Sequence, residues 1–284
     1  MRKSKIKIGQ ICTHVFIILM LFLVLLPFYV LIINSLKDNQ SIMRDPFSFP
    51  GTPAAPLNPE LISGSYEAAW SYLQKYFLNT VLIAVAEIFG VVLLSSMAAY
   101  GFTRFNFKGR EFLFTIFLGF MMIPGILTLA SQYALVYSTL NLKQSFWGVI
   151  LPAVAGGMPV NIFLVKTFFA GVPDSLFEAA EIDGASHLRR YFTFALPLSM
   201  PILFTIGLST LMGVWNDVIW ARLILYGAYD KYTISIGVFE VLREQNIETI
   251  TYAGYVLASL PLVIAFSLTS KQFIKGLTNG AIKM

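Results

Sequence analysis

The sequence predicts an all-α polytopic membrane protein with six transmembrane helices. Two observations carry that prediction. Of 284 residues, 57% are hydrophobic and only 12% are charged, against about 25% charged in a soluble domain; mean hydropathy is +0.72. The apolar residues also fall in long runs, each near the roughly 20 residues a helix needs to cross a hydrocarbon core. A pI near 9.2 would suit a nucleic-acid binder. The basic residues, however, flank the apolar runs and do not gather on one soluble face, which is a topology signal. No nucleic-acid partner is expected; membrane lipid is.

Residues 1–7 form a basic leader. The uncharged run at 15–33 is longer than a signal-peptide core and lacks a small-residue cleavage site, so it predicts a retained membrane helix, kinked at Pro27. Residues 38–75 hold Pro46, Pro50, Pro53, Pro56 and Pro59, the composition of an irregular loop. Within it, 66–76 predicts a short interfacial helix, because Trp70, Tyr72 and Tyr76 suit that depth. The second span is expected at 79–100. The third, 112–133, is broken at Pro124-Gly125. The fourth, 146–169, is interrupted by Pro152, Gly156, Gly157 and Pro159. The fifth is expected at 197–220 and the sixth at 252–273. The predicted organisation is 1–75 (leader, first span, external loop), 76–275 (a core of five spans with a cytoplasmic loop at 171–196) and 276–284 (a cytoplasmic tail).

Orientation follows from Lys and Arg. With the N-terminus inside, the inner segments hold Arg2, Lys3, Lys5, Lys7, Arg104, Lys108, Arg110, Lys166, Arg189, Arg190, Lys271, Lys275 and Lys283. The outer ones hold Lys37, Arg44, Lys75, Lys143, Arg222, Lys231 and Arg243. Both termini are therefore expected in the cytoplasm.

Between the fourth and fifth spans lies a polar island. Asp174, Glu178, Glu181 and Asp183 are followed at once by His187, Arg189 and Arg190. Ser175 with Glu178 fits a capping box, Ala179 and Ala180 favour helix, and Gly184 should end it. A second short helix starting at Ser186 completes a helix–bend–helix. Small residues rimmed by acids suit docking into a partner's groove. A cap needs no partner, so Glu178 reads both ways at this level.

Several chemistries are excluded. The lone Cys12 supports neither a disulfide framework nor a thiolate metal cluster. His14 and His187 are too far apart in the sequence for a metal site, and no catalytic residues are identified. The glycine clusters at Gly156-Gly157 and at 276–280 lack the Lys-Ser/Thr ending of a phosphate cradle, so the chain should bind no ATP and no cofactor of its own. Intramembrane polar groups tend to face a cavity or another helix. The candidates for a solute path are Glu87, Gln132, Asn161, Asn216 and Asp217, with Trp215 and Trp220 as stacking faces. For the amides, interhelical hydrogen bonding is the competing role.

The run Glu178-Ala179-Ala180-Glu181-Ile182-Asp183-Gly184-Ala185, with Leu196-Pro197, resembles the EAA loop of permease subunits of binding-protein-dependent ABC importers. Leu78-Asn79-Thr80, Ala98-Ala99-Tyr100-Gly101-Phe102 and Met122-Ile123-Pro124-Gly125 extend the likeness over most of the chain. Trp215-Asn216-Asp217, Tyr232-Thr233 and the stretch at 276–283 are similar to the carbohydrate branch, in particular the maltose-type second permease. The resemblance implies a type I importer permease fold in the bacterial cytoplasmic membrane, importing a sugar or oligosaccharide by alternating access. It implies as partners a homologous second permease, an ABC ATPase dimer that uses ATP and Mg, and an extracytoplasmic solute-binding protein. Glu178, Ala179, Ala180, Glu181, Asp183, Gly184, Ala185 and Ser186 would couple to the ATPase, and Gly276, Thr278, Asn279 and Gly280 of the tail would also contact it. A polyol or glycerol phosphate is the alternative solute. A secondary transporter is the alternative class.

Overall fold

The computed structural model describes residues 8–242 and 247–281; at 8, 241 and 272–281 it describes the backbone path alone. The basic leader lies outside the described residues, as do Arg243 and Glu244. Within them every regular element is helical, with one isolated bridge between Thr52 and Ala55.

The chain divides into two compact units. One comprises Met1–Gln74 and Gly237–Leu260, the other Lys75–Ile236 and Pro261–Met284. In the first unit, α1 (Ile8–Asn34) carries Pro27 without ending there. Its apolar side chains are almost all exposed, Ile18 at 64% and Phe22 at 62%, a surface stable against hydrocarbon and costly against water. The short α2 (Asn39–Arg44) is capped by Asp38, whose carboxylate accepts from Ser41 N at 2.8 Å. That hydrogen bond holds the Asp38 carboxyl below its ordinary pKa.

α3 (Pro59–Arg104) is one helix of 46 residues. The separate interfacial helix expected at 66–76 is therefore corrected: it is the first part of the same helix as the second span. Pro59 occupies the first helical position, where its missing N–H costs nothing, and Asn58 Oδ1 accepts from Leu61 N at 3.2 Å. Beyond Pro59 nothing stronger than Gly64 opposes propagation.

In the second unit, α4 (Arg110–Met121) and α5 (Gly125–Ala134, continued by a π-helical turn Leu135–Thr139) meet at a 98° bend. The break at Pro124-Gly125 is where the sequence placed it, because the residue before a proline is driven from the helical region. α6 (Phe146–Phe169) has the predicted bounds but is not interrupted. Pro152 and Pro159 each remove one donor while the flanking ladder continues. α7 (Asp174–Ile182) and α8 (His187–Arg190) form the polar island. A π-helical turn Tyr191–Ala195 and α9 (Leu196–Leu198) then lead to α10 (Met200–Asn216) across a 74° bend. The fifth apolar helix thus ends at Asn216, and Trp220 belongs to the next element, α11 (Ile219–Leu225). α12 (Ile234–Ile236) precedes the undescribed residues 243–246, and α13 (Glu248–Ala281) follows them. The backbone at 276–281 continues α13. The side chains of Thr278 and Asn279, and all of residues 282–284, lie outside the described residues.

Four helices are long and apolar enough to cross a membrane, and each bent pair, if one span, raises the number to six. The core of the second unit gathers α3, α6, α10 and α11 around Ile83, Val91, Val149, Ile206 and Ile224.

Candidate functional site

The polar island is held by a buried aromatic cluster. Tyr100 of α3 packs against Phe169 of α6, Phe177 of α7 and Tyr191, with ring centroids 6.4, 6.4 and 5.4 Å away. Its hydroxyl donates to His187 O at 3.4 Å, and Tyr191 Oη meets Ser96 Oγ at 2.7 Å. Arg104, at the end of α3, pairs with Asp174 and lies over the Phe177 ring at 3.8 Å. Arg190, itself buried, donates from Nη1 to Glu181 Oε2 at 2.7 Å. The island is therefore braced at both ends.

Backbone hydrogen bonds close the bend. Ala185 N donates to Ala180 O and Gly184 N to Glu181 O, both at 2.9 Å, which is the Schellman pattern of a helix C-terminus. It requires a left-handed residue, and Gly184 has φ +76°. Ser186 then caps α8, accepting from Arg189 N at 3.3 Å.

The capping box expected of Ser175 and Glu178 is not formed. α7 is capped by Pro173, with no side-chain cap bond, which puts Ser175 inside the helix. Among the described residues, Glu178 is exposed and its carboxylate has no hydrogen-bond or ion-pair partner. Of the motif residues, Ala179, Asp183 and Gly184 are exposed with it. Glu181 is exposed but paired, Ala180 faces the core at 5% exposure, and Ala185 is half-buried. Two apolar neighbours were not singled out from the sequence. Ile182 is 86% exposed and Leu188 63%. The signal for Ile182 was present, an isoleucine beside Asp-Gly in a polar segment where no apolar periodicity accounts for it.

A second feature lies among the apolar helices. A cavity of about 290 Å³ is lined by Glu87 and Val91 of α3, Gly157 and Asn161 of α6, and Thr210 and Asp217, among others. The structure thus brings together three of the predicted path residues, Glu87, Asn161 and Asp217. Gln132, Trp215 and Asn216 do not line it. Trp215 is buried with its ring edge-on to Phe77 at 5.7 Å, and Trp220 donates from Nε1 to Gly148 O at 3.2 Å. Both indoles are packed into the core, so neither offers a stacking face there. Asn161 and Asn216 donate to Gly157 O and Met212 O, one turn back on their own helices, a local bond where an interhelical one was the alternative.

Apolar helices enclosing a polar cavity, with a braced polar helix–bend–helix beside them, define a polytopic membrane transport component. The model of the binding-protein-dependent transport system inner membrane component matches residues 91–278, and the chain belongs to that family. It is a membrane transport subunit and not an ATPase. It is 33% identical over 226 residues to the galactooligosaccharides transport system permease protein GanQ of Bacillus subtilis (strain 168), covering 79% of this chain and 78% of that one. It is 28% identical to the maltodextrin transport system permease protein MdxG of the same organism, over 97% of each chain. In structure it is similar to a chain of a bacterial ABC transporter that imports the acidic polysaccharide alginate, with a TM-score of 0.76 and 20% identity, over 96% of this chain and 99% of that one.

Proposed function

We propose that the chain is one of two permease subunits of an ATP-driven importer of a sugar or oligosaccharide, and that α7 and α8 are its coupling element. In this reading each bent pair is a single span, giving six, and both termini are cytoplasmic. An ABC ATPase dimer binding ATP and Mg receives the exposed face of α7, and an extracytoplasmic solute-binding protein delivers the solute. The relatives named for galactooligosaccharides and maltodextrin support a sugar cargo.

The observation that carries the reading is Glu178. A solvent-facing carboxylate with no partner, on a helix held rigid by Arg104–Asp174 and Glu181–Arg190, suits a contact supplied by another chain. Closure of the ATPases would move this braced element as a body. It would thereby bias the permease pair between inward- and outward-facing states through contacts that differ between them. Gly276, Thr278, Asn279 and Gly280, on the last turns of α13, are proposed as a further ATPase contact.

Glu178→Ala tests the reading in the complete transporter. Transport and binding-protein-stimulated ATP hydrolysis should be lost while membrane insertion and thermal stability are unchanged. Persistence of transport, with only a fall in stability, would contradict it.

A further inference from the structure

We propose that the cavity between α3, α6 and α10 is a charge-selecting subsite for a single hydroxyl-rich, non-anionic ring of the solute, with Glu87 and Asp217 as hydrogen-bond acceptors. The proposal rests on the importer reading above and adds the class of solute to it.

Glu87 is 5% exposed, lines the cavity, and has no hydrogen-bond or ion-pair partner among the described residues. A carboxyl in that position is expensive, and intramembrane ionisable groups characteristically serve a translocation path. Asp217 reaches the same cavity from the end of α10. Its oxygens accept from Trp220 N at 3.0 Å and Ala221 N at 3.2 Å. The first turn of α11 therefore fixes the position of this carboxyl. Among the described residues, no Lys, Arg or His lines it. Thr210 and Thr233 add hydroxyls to the wall. The cavity thus presents acceptors and small polar groups with no cation, which matches a ring bearing hydroxyl or amine donors. A carboxylate or phosphate substituent would meet two acids with nothing to neutralise it. That excludes glycerol phosphate and uronic acids from this subsite. The volume lies at the lower end of the roughly 300–1,000 Å³ typical of ligand pockets, which holds one ring and not a chain of them.

The test uses the purified complex of both permeases with the ATPase, in lipid nanodiscs. Galactose, galactosamine and galacturonate are titrated calorimetrically as neutral, cationic and anionic versions of one ring. Galacturonate should bind about tenfold or more weakly than the other two, the sign expected of like-charge juxtaposition. Glu87→Gln should narrow that gap to about threefold or less, and Asp217→Asn should narrow it in the same direction. Should one variant fail to assemble, the other decides. Equal binding of all three rings by the native complex, no binding of any, or an unchanged gap in the variants overturns the subsite. Binding-protein-stimulated ATP hydrolysis, measured on the same complex, separates the two readings. If hydrolysis is stimulated but there is no charge order, only the subsite is wrong. If charge order is present but hydrolysis is never stimulated, the subsite stands and the importer reading falls.

Discussion

Arg190, with a side chain 8% exposed, donates at 2.7 Å to Glu181, whose side chain is 66% exposed. Glu178, one turn earlier on the same helix, has no hydrogen-bond or ion-pair partner among the described residues. Two acids of one short motif therefore do different work. Glu181 neutralises a buried cation that fixes α8 to α7, and Glu178 is the acid proposed to meet the ATPase.

The two substitutions should separate cleanly. Glu181→Ala leaves the Arg190 guanidinium buried without its carboxylate, and its Nε already lacks a partner. A loss of about 1–3 kcal/mol follows. Glu178→Ala should stay within about 0.5 kcal/mol, as an exposed substitution away from any special feature. Thermal melts of the purified complex check both, and equal falls would mean that Glu178 has a structural role.

Gly184 sets the angle between α7 and α8. At φ +76° an alanine is strained by about 1–2 kcal/mol, so Gly184→Ala should loosen the Schellman turn. Hydrogen exchange at the amides of Gly184 and Ala185 should quicken, and ATPase retention on co-purification should fall. Gly184→Asn should be milder, since asparagine tolerates the left-handed region.

Away from the island, Gly148 is where α6 meets the loop before it. A Cβ there would lie 2.4 Å from Leu142 O and 2.8 Å from Ile224 Cγ2. The first is backbone and cannot swing aside. Gly148→Ala should therefore destabilise by about 1–3 kcal/mol through overpacking. Trp220→Phe should cost about 1 kcal/mol by removing the indole bond to Gly148 O. Melting temperatures report both.

Much of this was legible in the sequence because hydrocarbon leaves few options for a backbone. The bounds of α6 and the break at Pro124 follow from apolar length and from the missing proline donor. Gly184 as the helix stop follows from residue type. What could not be read depends on neighbours distant in sequence. That α6 runs through two prolines is decided by the ladder around them. The roles of Trp215 and Trp220 depended on whether a ring faces a cavity or the core, and composition is the same in either case. The capping box failed for a local reason: α7 begins two residues earlier than the Ser-x-x-Glu pattern assumes, at Asp174 and not at Leu176. Glu87, Asn161 and Asp217 were chosen for their cost in a membrane, and only the fold shows that they share one cavity.

The central claim is that the exposed face of α7 touches the ATPase. Cys12 is the one native cysteine, so Cys12→Ser gives a clean background. Ile182→Cys, 86% exposed at the end of α7, can then carry a benzophenone probe in the assembled transporter. Met43→Cys, 81% exposed on α2, serves as the control. Irradiation should join the Ile182 position to the ATPase subunit and the Met43 position to no ATPase. No ATPase adduct from Ile182, or equal adducts from both, would contradict the account.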